Sequence, residues 1–144
     1  LVAHGHPLTR ERDISFYRSV GVPFIHDFVD VMKSADIYVN DLSSTLYEFS
    51  STGKPVVLMN APWFRKNVQH GLRFWDYSDI GLVVEEPEQL PNAIQESLAR
   101  HPRRVEQRKA VQDLFPYLGS SAIRAANIIR QELTEEEDVH NEKV

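Results

Sequence analysis

Short apolar runs alternate with stretches of helical spacing through the first two thirds of the chain. Leu1-Val2-Ala3 and Val22-Pro23-Phe24-Ile25 read as short strands, and Pro23 confines the second to a strand beginning or an edge. Ile37 to Val39 reads as a buried strand, Pro55 to Met59 as one covered on both faces, and Ile80 to Val84 as the last. Between them lie three short helical stretches. Residues 8–20 are weakly periodic, with Thr9 as a cap and Ile14, Phe16 or Tyr17 turned inward. Phe28, Val31 and Met32 share one helical face, and a helix over 43–52 carries Leu46 and Phe49 inward and stops at Gly53.

After Val84 the spacing becomes purely helical. Leu90, Ala93, Ile94, Ser97 and Leu98 form one stripe, and Val105, Val111, Leu114 and Phe115 mark a second helix over 103–115. A third helix, opened by Ser120 or Ser121, carries Ile123, Ala126, Asn127 and Ile128. From Thr134 the residues form a charge run without apolar period, so 134–144 is expected to be a disordered or frayed tail and 1–133 a single domain. Strand and helix at βαβ spacing predict an α/β fold, a Rossmann-like parallel sheet with helices on both faces. Ligands of such sheets bind at the carboxyl ends of the strands.

Composition narrows the chemistry. The chain has 144 residues, 42% hydrophobic and 26% charged, with a formal net charge of −5. That balance argues against a nucleic-acid surface, which needs clustered Lys and Arg. Without cysteine there is no thiol catalysis and no Cys-based zinc site, and the absence suits a reducing, cytoplasmic setting. No apolar run is long enough to span a bilayer. Leu1-Val2-Ala3 looks like the end of a strand rather than a natural start, so we expect a fragment of a longer protein.

Three groups of polar residues directly follow expected strands. They are His4-Gly5-His6-Pro7, His26-Asp27, and Asp41-Leu42-Ser43-Ser44-Thr45. The last opens a helix, where backbone N–H groups without internal partners and the macrodipole favour an anion. Ser43, Ser44 and Thr45 can also donate hydroxyl hydrogens to phosphate oxygens, and a histidine at a neighbouring strand end can lean over the same site. The same residues also make an ordinary N-cap, a purely structural role. His4 and His6 as a His-x-His pair lack a third metal ligand at convincing spacing. Trp63 and the Arg73-Phe74-Trp75-Asp76-Tyr77 segment could stack a base but fit core filling better.

Four segments in order carry a resemblance: His6-Pro7, then Asp27 and a short helix, then Ala35-Asp36-Ile37-Tyr38-Val39-Asn40-Asp41-Leu42-Ser43-Ser44, then Gly53-Lys54-Pro55-Val56-Val57. Over roughly residues 4–130 this resembles the carboxyl-terminal half of the CDP-glycerol glycerophosphotransferases, the teichoic-acid primases and polymerases. Leu42 stands where that family usually has Tyr, and Asn40 precedes the Asp. The resemblance implies the donor-binding half of a two-domain glycosyltransferase-B architecture. It implies His6 at the donor diphosphate as the catalytic histidine, Ser43 and Ser44 at the phosphates, and Glu48 at the nucleotide ribose. With Asp41, Thr45 and His26 these complete the expected donor site. The implied reaction moves glycerol phosphate from a CDP carrier to a hydroxyl of a polymer or glycan in cell-wall or surface-polymer synthesis. It needs no cofactor, and a divalent metal is left open. The expected location is the cytoplasm, at the inner membrane face, with membrane-surface association supplied by a missing amino-terminal part. The fragment alone should bind nucleotide weakly and not turn over. Two alternatives stay open at this point: the donor half of a nucleotide-sugar glycosyltransferase, and a non-catalytic protein-interaction domain.

Overall fold

A computed structural model describes residues 1–5, 10–41, 43–60 and 79–141. The elements in chain order are α1 (Arg10–Ser19), α2 (Phe28–Ser34), β1 (Tyr38–Asn40), α3 (Thr45–Ser50), β2 (Val56–Met59), β3 (Leu82–Val84), a 3₁₀ turn (Pro87–Gln89), α4 (Leu90–Arg100), α5 (Arg104–Leu114) and α6 (Ser121–Asn141). By compactness the chain forms two units, Leu1–Ala110 and Val111–Val144.

In the first unit β1, β2 and β3 form a parallel sheet in that order, with Asn40 opposite Leu58 and Met59 opposite Val84. Parallel neighbours cannot be joined by a tight hairpin, and α3 makes the crossover from β1 to β2. Alternation along the strands then divides the faces. Val57 and Val84 pack with Ala93 of α4, and Val39, Met59, Leu82 and Leu90 close around them. On the opposite face Tyr38 stacks on Phe49 of α3 with ring centroids 5.1 Å apart. Phe49 is fully buried, and covering a side chain of that size contributes on the order of 2 kcal/mol. Helices on both faces of a parallel α/β sheet are thus what the alternation of elements required.

The first two expected strands are reduced to a single parallel bridge between Ala3 and Phe24. Ala3 donates to the Pro23 carbonyl and Ile25 to the Ala3 carbonyl, each at 2.8 Å. Pro23 has no N–H to extend the ladder, which accounts for its brevity. At Gly81 a Cβ would lie 2.3 Å from the Val56 carbonyl oxygen, so only glycine lets the chain enter β3 against β2.

Two polar side chains bind the helices to this sheet. Lys54 sends its ammonium to the carbonyls of Met32, Lys33 and Ala35 at 2.9, 3.2 and 2.7 Å. A cation there satisfies the last carbonyls of α2 and complements its dipole. The α2 N-terminus is capped by Asp27, whose carboxylate accepts from Val29 N at 2.8 Å. Gln107 of α5 is 2% exposed and donates to the carbonyls of Ser50 and Lys54 at 3.2 and 2.8 Å. Its Oε1 then has to accept from His101 Nε2, 2.5 Å away, which fixes the His101 tautomer.

The helical stripes depart from expectation. Ala93 and Ser97 of α4 are buried, but Leu98 is exposed. On α5, Gln107 and Ala110 are buried while Val105 and Leu114 face solvent. Carbonyls left over at the end of α3 required a donor, and a glutamine meets that need where a valine cannot. In the second unit, Ser121 Oγ donates to the Tyr117 carbonyl at 2.8 Å and the Arg124 guanidinium lies 4.0 Å over the Tyr117 ring. Ile123 and Ile128 of α6 are exposed rather than covered. Helical backbone continues to Asn141, into the acidic run expected to fray. Among the described residues no helix is long and apolar enough to cross a membrane.

Candidate functional site

The three strands end on polar residues along one edge of the sheet: Asn40 closes β1, and Asn60 and Glu85 immediately follow β2 and β3. Sequence reasoning singled out the turn after β1 and passed over the other two.

At β1 the buried Asn40 donates from Nδ2 to the Tyr38 hydroxyl at 3.1 Å and to Thr45 Oγ1 at 3.3 Å. Thr45 Oγ1 donates to Ser43 Oγ at 2.9 Å and lies 3.0 Å from the Tyr38 hydroxyl. Since the Thr45 hydrogen is spent on Ser43, Tyr38 must be the donor of the shared bond. Hydrogens therefore run in one direction, from Asn40 through Tyr38 and Thr45 to Ser43. Ser43 Oγ also accepts from Thr45 N at 3.3 Å. Both acceptor positions of Ser43 are filled, and its own hydroxyl hydrogen is what the relay leaves to give away. Such a chain polarises each member in turn.

Ser44 begins α3 with helical backbone angles, makes no side-chain cap bond and is exposed. The first amides of α3 differ from expectation. Leu46 N and Tyr47 N donate to the carbonyls of Ser43 and Ser44 at 3.1 and 3.0 Å, and Thr45 N goes to Ser43 Oγ. With six residues and its opening amides committed, α3 offers hydroxyls to an anion rather than unpaired N–H groups. Ser43 Oγ accepts as a cap and still carries a hydroxyl hydrogen, so the structural and functional readings of this turn are not exclusive.

The other expected residues fall in different places. Asp41 and Glu48 are exposed, Asp41 at the end of β1 and Glu48 in the first turn of α3. His26 packs edge-on to Phe24, with ring centroids 5.4 Å apart, and lines a cavity of about 280 Å³ with Ile14, Arg18 and Val22. It is exposed, and its ring contacts belong to this α1-side cavity rather than to the Ser43 relay. His4 is drawn inward: its Nδ1 lies 2.9 Å from the Ile25 carbonyl and its ring packs on Phe24 and Phe28. His6, Leu42, Trp63 and the Arg73–Tyr77 segment lie outside the described residues.

At β2 and β3, Asn60 N donates to the Val84 carbonyl at 2.8 Å, and Asn60 Nδ2 lies 2.6 Å from both carboxylate oxygens of Glu85. Asn60 is 5% exposed, and its buried Oδ1 has no hydrogen-bond partner among the described residues. The backbone N–H of Glu85 is held by Gln89 Oε1 at 2.8 Å. Nothing in the apolar periodicity points to this pair; the only signal is that each residue directly follows an expected strand. Among the described residues no group of three or more His, Asp or Glu is arranged to hold a metal.

Comparison with known proteins gives one family. The family described as CDP-Glycerol:Poly(glycerophosphate) glycerophosphotransferase matches residues 1–130. No curated protein matches the chain. Among solved structures, a sucrose-phosphate synthase from Thermosynechococcus elongatus is similar at 20% identity and a TM-score of 0.48, the match covering 94% of this chain and 38% of that one. The chain thus spans well under half of that protein's length.

Proposed function

Because the chain belongs to the CDP-glycerol:poly(glycerophosphate) glycerophosphotransferase family, we propose that residues 1–133 are the donor-binding half of a glycosyltransferase-B enzyme and hold CDP-glycerol by its diphosphate at the turn after β1. The observation that carries this reading is the one-way relay from Asn40 to Ser43, which ends on a hydroxyl hydrogen at the carboxyl edge of the sheet. A diphosphate oxygen is the acceptor that such a hydrogen suits, and the charged acceptor makes the bond stronger than a neutral one. Ser44, exposed and without a cap bond, supplies a second hydroxyl. Thr45 acts through Ser43 and is a positioning residue.

In this reaction the acceptor hydroxyl oxygen bonds to the β-phosphorus. The bond from that phosphorus to the bridging oxygen breaks, and CMP departs with the electron pair. The hydroxyl proton passes to a general base, to which no residue of this chain is assigned. Catalysis of this kind rests on positioning and on neutralising charge at the non-bridging oxygens. His6 is assigned to the leaving phosphate, where an imidazolium or a neutral N–H donor would meet the growing charge. Glu48 is assigned to the ribose, with Asp41 flanking the nucleotide. The acceptor is a polymer or glycan hydroxyl bound by the rest of the enzyme, working at the cytoplasmic membrane face.

Titration of the ¹⁵N-labelled chain with CDP tests the reading. Amides of residues 41–46 should shift first and most. Unmoved amides there at millimolar CDP would remove the proposal. A UDP-sugar bound in preference to CDP-glycerol would transfer the site to a nucleotide-sugar enzyme.

A further inference from the structure

We propose that Glu85 and Asn60 form the subsite for the hydroxyl groups of the moiety being transferred, a glycerol-like polyol; this rests on the diphosphate reading above. The first support is restraint. Glu85 is an exposed carboxylate, a kind of side chain that ordinarily keeps its rotamer freedom in water. Here both its oxygens meet Asn60 Nδ2 at 2.6 Å, and its backbone N–H is fixed by Gln89. An exposed acid held this firmly is preorganised to accept hydrogen bonds on its remaining lone pairs.

The second support is an unmet need. Asn60 is 5% exposed, its side-chain amide faces Glu85, and its backbone N–H is committed to Val84, yet among the described residues the buried Asn60 Oδ1 has no donor. Buried polar atoms are nearly always paired, so such an oxygen marks a place where a donor belongs. The Glu85 carboxylate oxygens are acceptors only. They suit a ligand bearing adjacent O–H donors and repel a phosphate.

The third support is placement. β1 and β2 are neighbours, with Asn40 opposite Leu58, and Asn60 follows Leu58 by two residues as Ser43 follows Asn40 by three. Strand spacing sets the two strand ends about 5 Å apart. A group attached to a phosphate at Ser43 would reach the β2 end within a few bonds. The hydroxyl-bearing carbons of glycerol phosphate lie that far from the phosphorus.

Calorimetry with the 144-residue chain tests this with CDP and CDP-glycerol as probes. Wild type should bind CDP-glycerol about tenfold or more tightly than CDP, the range for hydrogen bonds to a charged group. Glu85→Gln keeps an oxygen for the Asn60 amide, so the fold should hold. It should abolish the preference for CDP-glycerol while CDP binds no more weakly. A preference unchanged in Glu85→Gln, or absent in wild type, overturns the subsite and leaves the diphosphate reading standing. Equal loss of both ligands with a lowered melting midpoint means that the pair is only a latch between β2 and β3. Failure of wild type to bind either nucleotide removes the diphosphate site and this subsite together.

Discussion

Ser43 and Ser44 are adjacent hydroxyls of the same size, and the structure gives them different work. Ser43 Oγ accepts from Thr45 N and Thr45 Oγ1, whereas Ser44 makes no cap bond. Ser43→Ala deletes a cap and strands the Thr45 amide, a change that costs about 1 kcal/mol. For a chain of this length that lowers the melting midpoint by about 3 °C. Ser44→Ala removes an exposed hydroxyl with no cap role and should stay within about 0.5 kcal/mol of wild type. Affinity for CDP should divide the other way. Under the proposed diphosphate site each substitution would remove one hydroxyl hydrogen bond to a charged ligand, and each should then weaken binding by roughly ten- to a hundredfold. Differential scanning fluorimetry read beside a CDP titration separates the two effects. A Ser44→Ala midpoint depressed as far as that of Ser43→Ala would show that the hydrogen-bond assignment is wrong. Unchanged CDP affinity in both variants would show that the turn is a cap and nothing more.

Two further substitutions probe the polar ties behind the site. Gln107→Leu keeps the volume but leaves the carbonyls of Ser50 and Lys54 and the His101 N–H without partners, and should cost about 2–3 kcal/mol in urea unfolding; a loss below about 1 kcal/mol would mean that water replaces the glutamine. Lys54→Met keeps an apolar side chain of similar length but removes the ammonium, and with it the donor to three carbonyls at the end of α2, so about 1–2 kcal/mol should be lost. Amide exchange should quicken selectively in α2, and uniform quickening across the sheet would contradict a local role.

Gly53 and Lys54-Pro55 show how far the linear sequence reaches. Gly53 takes φ +74 after α3, as its place beyond the last helical residue implied. Val56 to Met59 is a strand covered on both faces because a continuous apolar run has no face to give to water. Lys54 gave no such warning. Its three acceptors lie 19 to 22 residues earlier, at the end of another helix, and no periodicity encodes a meeting at that separation. The buried Gln107 escaped for the same reason, its partners being Ser50 and Lys54, 57 and 53 residues away.

The alternation of short apolar runs with helical spacing determined by itself a parallel α/β sheet whose strands end on polar residues along one edge. Backbone alternation and the need to cover both faces leave few other arrangements. The family and the hydroxyl-rich turn after β1 were legible for the same reason, since a cap and its strand are written in consecutive residues. Which hydrogens that turn can give away was decided only in three dimensions. Whether Ser43 donates or merely accepts depends on Tyr38 and Asn40, brought beside it by the turn of the chain. The pairing of Asn60 with Glu85 likewise exists only because β2 and β3 lie side by side, and hydrogen-bond direction follows from the whole set of neighbours rather than from any one residue.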